Sequence, residues 1–189
     1  MNNKEKFNLY EKLLREWSER MNLVAPSTLG DVKKRHFEDS AQLADVLPDD
    51  VDIIDLGSGA GFPGVVLAIL GWRVTCVESV GKKANFLKEV KSRLDLSNLT
   101  VFHGRAESLI SALPREKNNI VFTARAFAPL VKILDYTAKT KCRLFLLKGR
   151  EIDKEVEIAK TKYNFDYKLI PSKTGDGFII IVKNAGSFI

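Results

Sequence analysis

The sequence predicts an α/β fold of the doubly wound kind: a mostly parallel seven-stranded sheet with one antiparallel strand and extra N-terminal helices. Three observations predict it. From residue 51 onward, short apolar or β-branched runs alternate with helical patterns, the rhythm of a parallel sheet covered on both faces. The last two runs, DYKLIP and FIIIVK, are joined only by SKTGDG, which is long enough for a hairpin-like reversal and too short for a crossover. Two further helical patterns precede the first strand.

Taken in order, Phe7, Tyr10, Leu14, Trp17 and Met21 recur at steps of three and four, which predicts an amphipathic helix over roughly residues 4–22. The turn NLVAPSTLGD follows, and Asp31 is placed to cap a second helix, DVKKRHFEDSAQLADVL, that stops before Pro48. The strand candidates are VDIIDL, RVTCVE, LTVFHG, NIVFTA, CRLFLLKG, DYKLIP and FIIIVK. Between the first six lie the helical patterns FPGVVLAIL, GKKANFLKEVKSRL, AESLISAL, PLVKILDYTA and EIDKEVEIAKTK. No linker, repeat or low-complexity tract interrupts the 189 residues. One domain is therefore expected, with 1–48 a helical extension and 49–189 a Rossmann-like core.

Composition narrows the partners. Thirty Lys and Arg against 24 Asp and Glu leave a net charge of +6, compatible with a polyanion such as RNA, although a Lys-rich surface alone accounts for it equally well. Cys76 and Cys142 sit far apart in apolar runs and in no metal-ligand spacing, so neither a disulfide nor a metal site is expected. The N-terminus is charged throughout, and runs such as VVLAIL are far too short to span a bilayer. A cytoplasmic protein without a membrane partner is expected.

In open α/β sheets ligands bind beyond the carboxyl ends of the strands. The first such loop is DLGSGAGFPG, Asp55 to Gly64. Gly59, Gly61 and Gly64 spell the dinucleotide pattern G-x-G-x-x-G, while Asp55 ahead of Gly57, Gly59 and Gly61 suggests another adenosine cofactor. An acid at the mouth of the loop would repel a pyrophosphate and favour the ammonium and sulfonium of S-adenosylmethionine. The alternative role for Asp55 is to cap the turn. Glu78 closes the second strand 21 residues after Gly57, a spacing that suits the ribose hydroxyls of either cofactor. Glu107, just after the third strand, can meet an adenine edge or simply occupy the first turn of a helix. Three acids after three consecutive strands favour S-adenosylmethionine, and a class I methyltransferase. The segment after the fourth strand, TARAFAP, has neither the Asn/Asp-Pro-Pro-aromatic run used on exocyclic nitrogens nor a Pro-Cys nucleophile. Guanine N7, with its free lone pair, needs neither device; positioning in line with the methyl group suffices.

NLVAP with RHFEDS, IIDLGSGAGFPGVVLAI, VESVGKKANFLKEV, GRAES, TARAFAPL and LLKG together resemble the bacterial 16S rRNA guanine-N7 methyltransferase G family, also called glucose-inhibited division protein B. The resemblance runs over essentially the whole chain. It implies S-adenosyl-L-methionine as cofactor and methylation of one guanine in 16S rRNA, or the small ribosomal subunit, near the decoding site. It further implies cofactor contacts at Gly57, Phe62, Ala106, Glu107 and Arg125. Asp55, Gly59, Gly61 and Glu78 join them on the physical argument. Glu78 stands where the family often has Asp, which keeps the carboxylate and lengthens its reach. A monomer is expected.

Basic residues at strand ends are the candidates for RNA. Arg105, Lys148 and Arg150 are assigned to RNA, and Arg125 to cofactor and pocket shaping, because an Arg aimed at N7 would compete with the methyl donor. On a helix Arg35, His36, Asp39 and Ser40 would share one polar face, read either as an Arg35–Asp39 surface pair or as the border of the active-site mouth. Lys33 and Lys34 adjoin it. The rival functions are a dinucleotide-dependent oxidoreductase, a catalytically inert RNA-binding module, and a methyltransferase for a small molecule or protein.

Overall fold

The computed structural model describes residues 1–113 and 119–187. Seven strands form one sheet: β1 (Asp52–Leu56), β2 (Arg73–Glu78), β3 (Leu99–His103), β4 (Ile120–Arg125), β5 (Arg143–Lys148), β6 (Tyr163–Pro171) and β7 (Phe178–Ser187). Their order is β3-β2-β1-β4-β5-β7-β6. The pairs among β1 to β5 are parallel, and β7 runs antiparallel to both β5 and β6. The order reverses between β1 and β4, which puts the topological switch at the glycine loop.

Successive side chains on a strand point to opposite faces, and here both faces are apolar. Ile53, Val121 and Phe145 enter one core; Ile54, Phe122 and Leu144 enter the other. The first core is roofed by α1 (Asn3–Ser18), α3 (Gly64–Ile69) and α4 (Gly81–Arg93), through Leu14, Leu67, Phe86 and Leu87. The second is roofed by α5 (Ala106–Ser111), α6 (Leu130–Thr137) and α7 (Ile152–Lys160), through Ile110, Leu134 and Val156. No helix among the described residues is long and apolar enough to cross a membrane.

The N-terminal segment departs from expectation in two places. Helix α1 starts on a capping box in which Asn2 and Glu5 satisfy each other's backbone N–H groups. It ends at Ser18, short of the expected residue 22; Met21 still packs on the core, but from a turn whose amides bond to the Trp17 carbonyl. Periodicity located the apolar contacts and overran the helix end.

The second helix is not one regular α-helix. Pro26–Asp31 is a 3-10 turn, Lys33–Glu38 is wound as a π-helix, and only Asp39–Ala41 (α2) is α before a closing 3-10 turn at Gln42–Asp45. Asp31 does accept a bond from the Lys34 N–H, at 3.4 Å. In the widened π turn the adjacent residues His36 and Phe37 are both buried. Phe37 stacks on Tyr10, and His36 on Phe62.

Tyr10 ties this N-terminal layer to the loop after β1. It is fully buried, and its hydroxyl donates to the Ala60 carbonyl at 2.5 Å. Tyr10→Phe removes only that donor and leaves a buried carbonyl unpaired. It is expected to cost about 1–2 kcal/mol in urea denaturation; an unchanged midpoint would show that the contact contributes nothing.

Candidate active site

The loop from Gly57 to Pro63 turns on three glycines at positive φ: 65° at Gly57, 56° at Gly59 and 95° at Gly61. They do different things. A Cβ on Gly61 would lie 2.5 Å from Val65 and 2.7 Å from the Tyr10 hydroxyl, so Gly61 serves packing. One on Gly57 would run into the Phe127 ring at 2.1 Å. One on Gly59 would meet nothing nearer than the Gly57 carbonyl at 3.8 Å. Of the three, Gly59 is the position where a Cβ would meet only an ordinary van der Waals contact.

Two acids hold this loop from behind. Asp55 is fully buried, and its Oδ2 accepts from the Gly64 N–H at 3.1 Å while Oδ1 takes the Thr123 hydroxyl at 3.3 Å. The expectation of an acid at the loop mouth is corrected: Asp55 lies beneath the loop, and caps the first turn of α3. Burial pushes its carboxyl up to about 7, against the pull of its bonds to Ser58, Gly64 and Thr123. Glu78 is also buried, with Oε2 accepting from the Gly59 N–H at 2.9 Å and Oε1 from the Val80 N–H at 2.7 Å. Each oxygen keeps lone-pair capacity for a further donor.

Beyond the carboxyl ends of the strands lie two hollows. The smaller, about 100 Å³, lies among Gly57, Ser79, Arg105, Ala106, Glu107 and Tyr136. Four of the sequence candidates, Gly57, Arg105, Ala106 and Glu107, therefore meet at one place. The larger, about 520 Å³, opens over the ends of β4 and β5 and under the β6–β7 turn; Arg35, Asp39, Arg125, Lys148, Ser172 and Thr174 are among its walls. Phe127 lines both hollows.

Arg125 is the hub of the larger cleft. Its Nε pairs with Asp39 at 3.1 Å, and its Nη2 donates to the Arg35 carbonyl at 2.8 Å and to His36 Nδ1 at 3.0 Å. Its Nη1 is buried with no partner among the described residues. Because a guanidinium only donates, His36 Nδ1 is the acceptor and Nε2 carries the proton, donated to Thr28 Oγ1 at 2.8 Å. Burial, then the Arg125 and Arg35 charges, lower the His36 pKa to about 4, so the ring is neutral. It stacks on Phe62, with centroids 4.8 Å apart and planes 14° from parallel. Burial also lowers the Arg125 pKa, opposed by Asp39.

Several basic candidates change role. His36 is a buried wedge against Phe62 and not part of a surface patch, and Ser40 is fully buried. The Arg35–Asp39 pair is not made: Asp39 gives Oδ2 to Arg125, and Oδ1 to Gln42 and Thr174. Lys148 is not a free cation; its Nζ bonds to the Ala128 carbonyl and Glu155 Oε2, each at 2.7 Å. Arg150 faces Asp176 at 3.6 Å, with both side chains exposed. Arg35, Arg105, Lys33 and Lys34 are exposed.

The β6–β7 turn, SKTGDG, is more than the compact reversal with a bearing on RNA docking that the sequence predicts: Gln42 Nε2 donates to Ser172 Oγ (3.1 Å), Gln42 Oε1 accepts from the Lys173 N–H (3.0 Å), and Thr174 Oγ1 donates to Asp39 (2.7 Å). Its polar side chains were the available signal; the partner 130 residues away was not.

Residues 3–174 match the family described as rRNA small subunit methyltransferase G. Among curated relatives, the Ribosomal RNA small subunit methyltransferase G of Dinoroseobacter shibae is 40% identical over 183 residues, covering 92% of this chain and 91% of the relative. That of Hyphomonas neptunium is 42% identical over 173 residues, 88% of this chain and 80% of the relative. Among solved structures, an O-methyltransferase from Bacillus cereus in complex with SAH superposes with a TM-score of 0.59 at 17% identity, covering 92% of this chain and 90% of that one. That likeness is one of fold.

The Asp55 carboxyl generates a pH prediction. Its folded value of about 7 lies above the ordinary 3.8, so the folded protein holds a proton that the unfolded chain releases. The associated stability is full below pH 3.8 and is lost as pH rises through 7. Relative to Asp55→Asn, the wild type should lose stability across that window, read from urea midpoints. Parallel pH profiles would refute it.

Proposed function

The chain belongs to the rRNA small subunit methyltransferase G family, and from that premise we propose how its site serves the reaction: transfer of a methyl group from S-adenosylmethionine to N7 of one guanine in 16S rRNA. The observation that carries this is the pair of hollows. One lies beside the glycine loop, the other at the ends of β4 and β5, and Phe127 lines both. A donor held in the first and a base held in the second would meet beside the Phe127 ring.

The residues fit such a cofactor. The lack of a close neighbour at Gly59 lets a ligand approach the backbone, and Glu78 offers acceptor capacity for ribose hydroxyls. The exposed Glu107 and the Ala106 amide border the hollow where an adenine would lie. The unpaired Arg125 Nη1 is a donor left for an oxygen of cofactor or substrate. Phe62 acts indirectly, as the platform beneath His36 and Arg125, whose guanidinium carbon lies 5.7 Å from its ring centre. Asp55 and Gly61 shape the loop without touching the ligand.

When bound, S-adenosylmethionine supplies an electrophilic methyl group and a neutral leaving group. The N7 lone pair needs no deprotonation, so the protein's task is alignment and exclusion of water. Direct displacement without a covalent intermediate follows from that chemistry. Arg35 lines the larger hollow and Arg105 the smaller; with the exposed Lys33 and Lys34, neighbours of Arg35 in the chain, they are the cations available to rRNA phosphates. In this reading residues 1–48 and 49–189 work as one unit.

S-adenosylhomocysteine at a hundredfold its Kd should stabilise the protein by about 2.7 kcal/mol, raising Tm by roughly 5–10 °C, while NAD(H) and NADP(H) leave it unmoved. Gly59→Val places a branched Cβ at a positive φ on the side from which the ligand would approach. It should weaken S-adenosylhomocysteine binding about tenfold or more while the fold survives; unchanged affinity would remove Gly59 from the site.

The reaction itself is tested by mass spectrometry of rRNA digests. A strain lacking the gene should lose one 7-methylguanosine from 16S rRNA, which the wild-type gene restores and the Gly59→Val gene restores poorly. An unaltered 7-methylguanosine content would overturn the assignment.

A further inference from the structure

Three carboxylates line the larger cleft: Asp39, Glu155 and Asp176. Both oxygens of Asp39 are bonded within the protein. Asp176 is an exposed rim residue that faces Arg150. Glu155 differs from both. Its Oε2 accepts from the Leu130 N–H at 2.6 Å and from Lys148 Nζ at 2.7 Å, while its Oε1 has no hydrogen-bond partner among the described residues.

The side chain is 28% exposed, and the Lys148 side chain paired with it only 9%. Lys148 is in turn fixed by the Ala128 carbonyl. Two donors thus hold one carboxylate oxygen from behind, and the other is presented in a preset position. Helix capping of α6 needs the first oxygen alone.

A purine base brings the complementary chemistry. Guanine N7 lies on the imidazole edge of the base, and N1–H and the 2-amino group lie on the far edge. Both far-edge groups are donors, and a carboxylate is the side chain that can accept from them. Phe127 borders the hollow beside Gly57, whereas Glu155 lines only the cleft. A base whose N7 faces Phe127 and the glycine loop therefore turns its donor edge toward the β5–α7 side.

We propose that Glu155 reads the N1–H and 2-amino edge of the acceptor guanine, and so determines which base the enzyme methylates. The assignment rests on the guanine-N7 reading above. Adenine would set its unprotonated N1 lone pair against the free carboxylate oxygen, acceptor against acceptor, which disfavours it. An extruded base read along its Watson–Crick edge suits a cleft of about 520 Å³.

The test uses inosine, which lacks only the 2-amino group. Once the modified guanine is mapped, 16S rRNA carrying guanine or inosine there is reconstituted into small subunits and assayed with S-adenosylmethionine. Loss of one hydrogen bond to a charged acceptor should lower wild-type kcat/KM on inosine by roughly 10–100-fold.

In Glu155→Gln, Lys148 and the Leu130 N–H demand the amide oxygen, which turns the NH2 toward the cleft. Activity on guanine should fall, and the guanine-to-inosine ratio should shrink to within about threefold. S-adenosylhomocysteine affinity, measured alongside, should stay within about twofold. If that affinity is lost, Glu155→Asp decides instead: it keeps the charge and withdraws the free oxygen by one methylene, and should narrow the ratio as well.

A purely structural glutamate would lower both substrates by one factor and leave the ratio intact, which overturns the assignment. A wild type indifferent to inosine overturns it too. No transfer to the guanine substrate by wild type would instead bring down the N7 reading on which it rests.

Discussion

The structure turns on two buried carboxylates that accept from the backbone of one glycine loop. Glu78 holds the Gly59 N–H and Asp55 the Gly64 N–H, so the loop between β1 and α3 is pinned at its apex and at its exit. A glycine-rich segment left free would lose much conformational entropy on meeting a ligand. Pinned this way, it meets the ligand in one conformation. The cost sits with Asp55, whose carboxyl must be buried among Cys76, Ser58 and Thr123, and whose pKa rises accordingly.

The second constraint comes from the N-terminal layer, which closes the site from the side. Tyr10 reaches the loop carbonyl, His36 covers Phe62, and Asp39 grips Arg125. The π-wound segment makes this possible, because consecutive residues His36 and Phe37 both reach inward. Asp39 and Gln42 then extend the grip to the β6–β7 turn. The walls of the cleft thus come from three distant parts of the chain that meet through side-chain bonds.

How much of this could be read from the sequence follows the range of the interactions. Strand order aside, the sheet and the helices that cover it were readable, because apolar runs and turn residues are local signals; so was the reversal of the last strand, from the shortness of SKTGDG. The meeting of Gly57 with Ala106 and Glu107 was readable from the strand-end rule. What failed depended on partners. A lysine after a strand looks the same whether it faces solvent or, like Lys148, is locked to Glu155. An acid before a glycine loop looks the same above the loop or, like Asp55, below it. Steps of three and four describe an α-helix, and misplaced Arg35 and Asp39 where the helix is π-wound.

The inverted direction of β7 has a consequence for how such a molecule can change over evolutionary time. Because β7 lies between β5 and β6 and runs against both, the turn before it falls on the same side as the loops after β4 and β5. The glycine loop and its acids belong to β1 and β2, at the other end of the strand order. A hairpin turn tolerates insertion at a cost that grows only slowly with length. Drift in that turn can therefore remodel one wall of the cleft while the glycine loop keeps its shape, so the two halves of the sheet are free to diverge at different rates.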